Sequence, residues 1–129
     1  MPKTWLAFAQ EAPGSWFASA AGRAYSSQLL QVALASARTA YKAGVRIAAG
    51  TDFGGGGLRV GVLAGEVELL VQAGLAPWEA LAAATWRCGE LLGEPEAGVV
   101  SEGAAVNFIL VQGDPLGDPS VLWRIWRTV

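Results

Sequence analysis

Histidine is absent from these 129 residues and cysteine occurs once, at Cys88. The first absence removes a Ser-His-Asp triad, a base that titrates near neutrality, and every imidazole metal ligand. The second removes an intrachain disulfide and a cysteine-based zinc site. Charge is also scarce, with 16% charged residues and a formal net charge of −2. That balance excludes a nucleic-acid groove or an anionic membrane surface as the main partner. Long apolar runs are missing too, because Gly, Glu or Arg interrupts each one before it could span a bilayer. The stretch Trp5 to Ala9 is apolar, and Ala7-Phe8-Ala9 has the form of a cleavage tripeptide. Gln10 and Glu11 end it too early for a secretory h-region. A single free thiol points to the reducing cytoplasm. What remains is 53% hydrophobic residues, ample for the core of one ordinary domain.

Residues 1–25 are weakly patterned: Thr4 can cap a short helix that ends at Pro13-Gly14, and Trp16 and Phe17 follow. From Ser26 or Ser27, either able to cap a helix, Leu30, Leu34, Ala37 and Tyr41 fall on one helical face. Lys42 and Gly44 supply its end. Val45, Ile47 and Ala49 alternate, which predicts a short buried strand. A second helix is predicted over 61–73, with Leu63, Val67 and Leu70 inward and Gly74 as its stop. A third opens at Pro77, suited to the first helical position, carries Glu79 in its first turn, and closes at Gly93. Beyond Gly93 turns dominate. Strands are predicted over 106–111 and 121–129, the latter with Trp123, Ile125 and Val129 on one face and Leu122 and Trp126 on the other.

Few residues invite a chemical reading, and each has a plain alternative. Asp52, after Gly50-Thr51, can accept backbone N–H bonds in the glycine-rich turn. Gly54 to Gly57 has the form of an anion cradle, but it lacks the Gly-Lys-Ser/Thr ending and has only Arg59 as a nearby cation. An open loop is the simpler reading. Glu66 and Glu68 are two apart on a helix, share no face, and read as solvated charge. Cys88 sits on the apolar face with Leu81 and Leu92 and reads as a buried, inert thiol. Trp123 to Arg127 mixes basic and aromatic residues. That suits base stacking, yet the acidic net charge favours a strand of a small β-domain.

One stretch carries more. Ala43-Gly44-Val45-Arg46-Ile47-Ala48-Ala49-Gly50-Thr51-Asp52 resembles the last barrel strand of the amidohydrolase superfamily, especially imidazolonepropionase-like and prolidase-like metal-dependent hydrolases. Glu66 to Leu81 resembles that family's "E-L-x-L-L-V-x-A-G-L-T-P-x-E-A-L". Ala84-Thr85 with Glu90-Leu91-Leu92-Gly93 resembles its "A-T…A-E-L-L-G". Gly98 to Gly103 and Val111 to Leu116 resemble its "G-T-I-x-x-G" and "V-x-G-D-P-L". The pieces run in order from Ser26 to Val129.

The resemblance implies an α/β fold: the last βα portion of a TIM-like barrel over 26–93, then strands of a small C-terminal β-domain over 94–129. A whole barrel needs ~250 residues, so the barrel is expected to be incomplete. It further implies that Asp52 is both a metal ligand and the catalytic proton carrier. The cofactor would be a divalent metal, zinc in this reading, and the substrate a small-molecule amide opened at a C–N bond. The departures are specific. The family's His-x-His pair and its further histidines have no counterpart here. Ala76 stands where the family has a capping Thr or Ser, and Asn107 where it has Asp. The family continues a few residues beyond Val129, so both ends read as clipped. The expectation is therefore a fragment that binds no metal and is inactive by itself. Self-association or a partner chain is expected to cover the open edge. The alternatives are a non-catalytic remnant or assembly subunit, and an anion-binding module built on Gly54 to Gly57.

Overall fold

The computed structural model describes residues 14–51 and 62–129. The predicted helix near Thr4, Asp52 and the glycine run Gly54 to Gly57 lie outside the described residues. After a short 3-10 turn at Trp16–Ala18 the described residues form four helices. They are α1 (Ala20–Lys42), α2 (Leu63–Ala73), α3 (Pro77–Ala83) and α4 (Trp86–Leu92). A two-stranded antiparallel sheet follows, β1 (Ile109–Val111) with β2 (Ile125–Thr128), and a 3-10 turn at Pro119–Trp123 lies between the strands. The mixture is compatible with part of an α/β protein.

Helix α1 begins earlier than its sequence suggests. Ser19, not Ser26 or Ser27, is the cap, and its Oγ accepts the Gly22 N–H at 3.0 Å. Alanines at 20, 21 and 24 favour helix, so the first good cap upstream takes the role. Ser27 instead donates its hydroxyl back to the Arg23 carbonyl at 2.9 Å, as serines inside helices do. Leu34, Ala37 and Tyr41 face the core as expected. The helix closes at Ala43, and Gly44 takes a left-handed φ of +76° that a side chain would strain.

Helix α2 ends at Gly74, with φ +109°. Its last carbonyls are capped by a residue that the sequence did not point to. The Arg38 guanidinium donates to Ala73 O at 3.0 Å and Gln72 O at 3.1 Å. Orphan carbonyls at a helix C-terminus thus meet a cation, which also suits the negative end of the helix dipole. Val67, Ala73, Leu75 and Ala80 form the buried cluster between α1, α2 and α3. Val67 and Leu70 turn inward as expected, but Leu63 is exposed and Leu69 is buried instead. Glu66 is also buried, which corrects the reading of a solvated acid.

Three further expectations change. Residues 45–50 form no strand, because among the described residues no neighbouring strand offers them a ladder. Only the inward Ile47 joins the core, while Val45 stays exposed. The single helix expected from Pro77 to Gly93 is broken at Ala84–Thr85. Pro77 at its start, Glu79 in its first turn and the left-handed Gly93 at its end are as anticipated. Strand 121–129 begins late, because Asp118 caps a 3-10 turn by accepting Ser120 N–H at 3.0 Å and Pro119 fits its first position. Those hydrogen bonds to Ser120 hold the Asp118 carboxyl below its ordinary value of 3.8.

The sheet has no buried face. Ile109, Leu110, Ile125 and Trp126 are all exposed, Trp126 at 69%. Most of the residues in the core cluster lie in α1 to α3. Val67→Ala is therefore expected to cost about 2 kcal/mol of stability, and Arg38→Ala about 1 kcal/mol. Urea titration followed by far-UV circular dichroism measures both, and an unchanged midpoint would contradict either assignment.

Candidate active-site segment

Asp52 itself is not among the described residues, so the site is approached along the chain that leads to it. Val45 to Thr51 leaves α1 and crosses the helical layer. Ile47 packs into the core, and the Ala49 N–H donates to Ala83 O at 2.7 Å. That carbonyl is available because α3 stops there. In a continuous helix it would accept from the N–H four residues on. Instead Ala84 N–H and Thr85 N–H turn back to Leu81 O and Ala82 O. Thr85 adopts φ −131° and ψ −110°, and α4 restarts with Cys88 N–H on Thr85 O. The Thr85 hydroxyl donates to Leu81 O at 2.8 Å. Gly98, at φ +74°, presses against this break, and a Cβ there would come within 2.5 Å of the Thr85 carbonyl carbon.

Cys88 is half-buried where a buried thiol was expected, because the helix breaks between it and Leu81, and Leu92 is exposed. Its Sγ lies 3.0 Å from Ala83 O and 3.5 Å from Ala49 O, so the thiol faces two carbonyls and no base.

Beside the same segment, Arg46, Ile47, Ala48, Arg87, Glu90 and Leu91 line an open cleft of about 290 Å³. Its charges are paired. Arg46 lies 3.3 Å from Glu90. Arg87 lies 3.6 Å from Glu79 and rests against the rings of Trp78 and Trp86, at 5.9 and 5.3 Å. The Tyr41 hydroxyl donates to the other Glu79 oxygen, which ties α1 to α3. That hydrogen bond, with loss of water contact and repulsion from the carboxylate, raises the Tyr41 phenol above its ordinary 10.0, while Arg87 opposes the shift.

The remaining candidates are placed as follows. Glu68 accepts the Trp123 indole N–H at 2.8 Å, and Glu66 is buried. Trp123 belongs to the fold: its ring lies over Gly65, where a Cβ would come within 3.2 Å of it. Among the described residues no three His, Cys, Asp or Glu side chains gather where they could hold a metal ion. No helix among them is long and apolar enough to cross a membrane.

The sequence model of the Amidohydrolase family matches residues 9–126. The chain belongs to that family. No curated protein matches it in a sequence search. The match extends the likeness in the Gly50-Thr51-Asp52 region over nearly the whole chain, upstream of Ser26 as well. Members of the Amidohydrolase family generally bind divalent metals. The residues present do not fit such a centre unaided. The chain has no histidine, its one thiol is turned toward backbone carbonyls, and Glu68, Glu79 and Glu90 are engaged by Trp123, Arg87 and Arg46.

Arg38, Arg87 and the helix break went unseen in the sequence. Long-range caps and ion pairs leave no local pattern, and an alanine-rich stretch reads as uninterrupted helix. The one available signal was Gly98, a glycine whose backbone has to approach the break closely. A pH prediction follows from Tyr41. The folded state favours its protonated phenol, so its contribution is complete below the ordinary value of 10.0 and is lost as pH rises through the higher folded value. Thermal melts of Tyr41→Phe between pH 8 and 11 are expected to fall less steeply than those of the wild type. Parallel curves would contradict the assignment.

Proposed function

We propose that this chain contributes the last barrel portion of an amidohydrolase, of imidazolonepropionase-like or prolidase-like kind, acting on C–N bonds of small amides. The observation that carries the reading is the family match over 9–126, which includes Gly50-Thr51-Asp52. In this reading the Asp52 carboxylate takes a proton from the attacking water and returns it to the departing nitrogen, one group serving as base and then acid. The end of a barrel strand is where such groups sit. The family's divalent metal, zinc in this reading, would need its other ligands from outside these 129 residues. The chain by itself then binds zinc weakly and turns nothing over. Its single thiol, facing carbonyls, suits the reducing cytoplasm.

The test is a chimera in which residues 26–129 replace the matching segment of an active amidohydrolase. Asp52→Asn in an active chimera is expected to lower kcat about 10³-fold while the melting temperature holds. An active chimera indifferent to that substitution would overturn the proposal. Dialysis of the unmodified chain against zinc, followed by elemental analysis, is expected to find well under one zinc per chain.

A second reading, a non-catalytic assembly subunit, draws on the exposed sheet. A lone two-stranded sheet with both faces wet is marginal, and Ile109, Ile125 and Trp126 invite cover. We propose that a second copy or a partner chain provides it. Light scattering on a size-exclusion column is expected to give a mass above one chain for the isolated protein; a clean monomer would count against self-association.

A further inference from the structure

We propose that the outer edge of β1 is where two copies of this chain join, strand against strand, to make an antiparallel four-stranded sheet. The inference rests on the self-association proposed above and names the edge that carries it. Phe108 and Val129 exchange both of their backbone hydrogen bonds, at 3.1 and 2.9 Å. Ile109 stands opposite Thr128 in the next position. Bonded and non-bonded pairs alternate along an antiparallel ladder, so the Ile109 N–H and C=O are turned away from β2. Among the described residues no strand lies on that side, because the sheet has two strands and β2 takes the other edge. A two-stranded sheet is marginal in water, and two more strands supply what it lacks.

Charge selects the edge. No charged residue occurs from Ala104 to Gln112, and Val106 to Val111 holds neither Gly nor Pro. Such a segment pairs readily with its own kind. β2 carries Arg127 and follows Arg124, and like charges set opposite one another repel. Joining through β1 leaves those arginines on the two outer strands, where they blunt further pairing. The occupant that fits is a second copy. About a twofold axis β1 meets itself, and each chain supplies the uncharged edge that the other needs. A formal net charge of −2 sets little repulsion between copies. Area suffices as well. Val100, Val106, Phe108, Ile109, Leu110 and Trp126 are 37% to 93% exposed. At the size of such side chains that is roughly 600 Å² of apolar surface, close to the lower end of what specific dimers bury per partner. A groove of about 430 Å³ adjoins the edge, with Val100, Asn107, Phe108, Ile109 and Val129 in its lining, and gives room to side chains of the facing copy.

Light scattering over a dilution series of the full chain, with residue-resolved hydrogen exchange on the same samples, tests this. The mass is expected to fall from two chains to one on dilution, and exchange at the Ile109 amide to speed up about tenfold with it. The Thr128 amide, turned outward from β2, should exchange fast at every concentration. Ile109→Pro removes the outward N–H and no bond to β2, a change that an edge strand tolerates. It is expected to raise the dimer dissociation constant at least about tenfold. Thr128→Pro makes the same change on the β2 edge and should leave that constant as it is. Both variants should keep the helical circular dichroism, since neither alters α1 to α3. A dimer that resists Ile109→Pro, that weakens equally with Thr128→Pro, or that leaves the Ile109 amide unprotected keeps self-association and overturns the β1 edge. A single-chain mass at every concentration overturns both.

Discussion

Burial of α2 on most of its sides is the constraint that the described structure depends on. Val67, Leu69 and Ala73 are shut away from water, and the helix meets α1, α3 and the Pro119–Trp123 turn at once. Gly65 lets the Trp123 ring lie close on one side, and Arg38 closes the helix end on another. Remove α2 and both α1 and α3 lose the main apolar surface they bury against. The small sheet would also lose the tether through Trp123, whose indole N–H reaches Glu68.

Polar groups are handled with little redundancy. Arg38, Arg87 and Arg46 each meet a carbonyl or a carboxylate on another element, and Glu79 serves Tyr41 and Arg87 together. A chain with only 16% charged residues therefore spends much of its charge on joining helices. In the cleft beside Arg46, both arginines lie against carboxylates of the helices.

How far the sequence could be read depends on the range of the interactions that decide each feature. Gly44, Gly74 and Gly93 mark their helix ends in the sequence because a left-handed residue is a local requirement. Pro77 and Glu79 were legible for the same reason. Leu34, Ala37 and Tyr41 were found by period. The strand at 45–49 was read from alternation that is present, but a strand also needs a neighbour, and none lies among the described residues. The break at Ala84–Thr85 was invisible because its cause lies far along the chain, in Ala49 and Gly98. Of the candidate site, Asp52 was legible only through resemblance, as part of a motif whose family the match over 9–126 bears out. Cys88 was read as buried with Leu81 and Leu92, but the break leaves it half-buried, and its two carbonyl partners could not be foreseen from a helical wheel.

The Arg38 cap carries a consequence for how the molecule opens. A guanidinium from α1 that satisfies the terminal carbonyls of α2 makes fraying of one helix and undocking of the other a single event. Residues 38 and 73 are far apart in the chain, so the two helices form one cooperative unit whose parts neither melt nor form piecemeal. The sheet, joined to that unit through Trp123, stands outside it. Among the described residues, local stability is thus expected to be graded, with β1 and β2 opening more readily than α1 and α2.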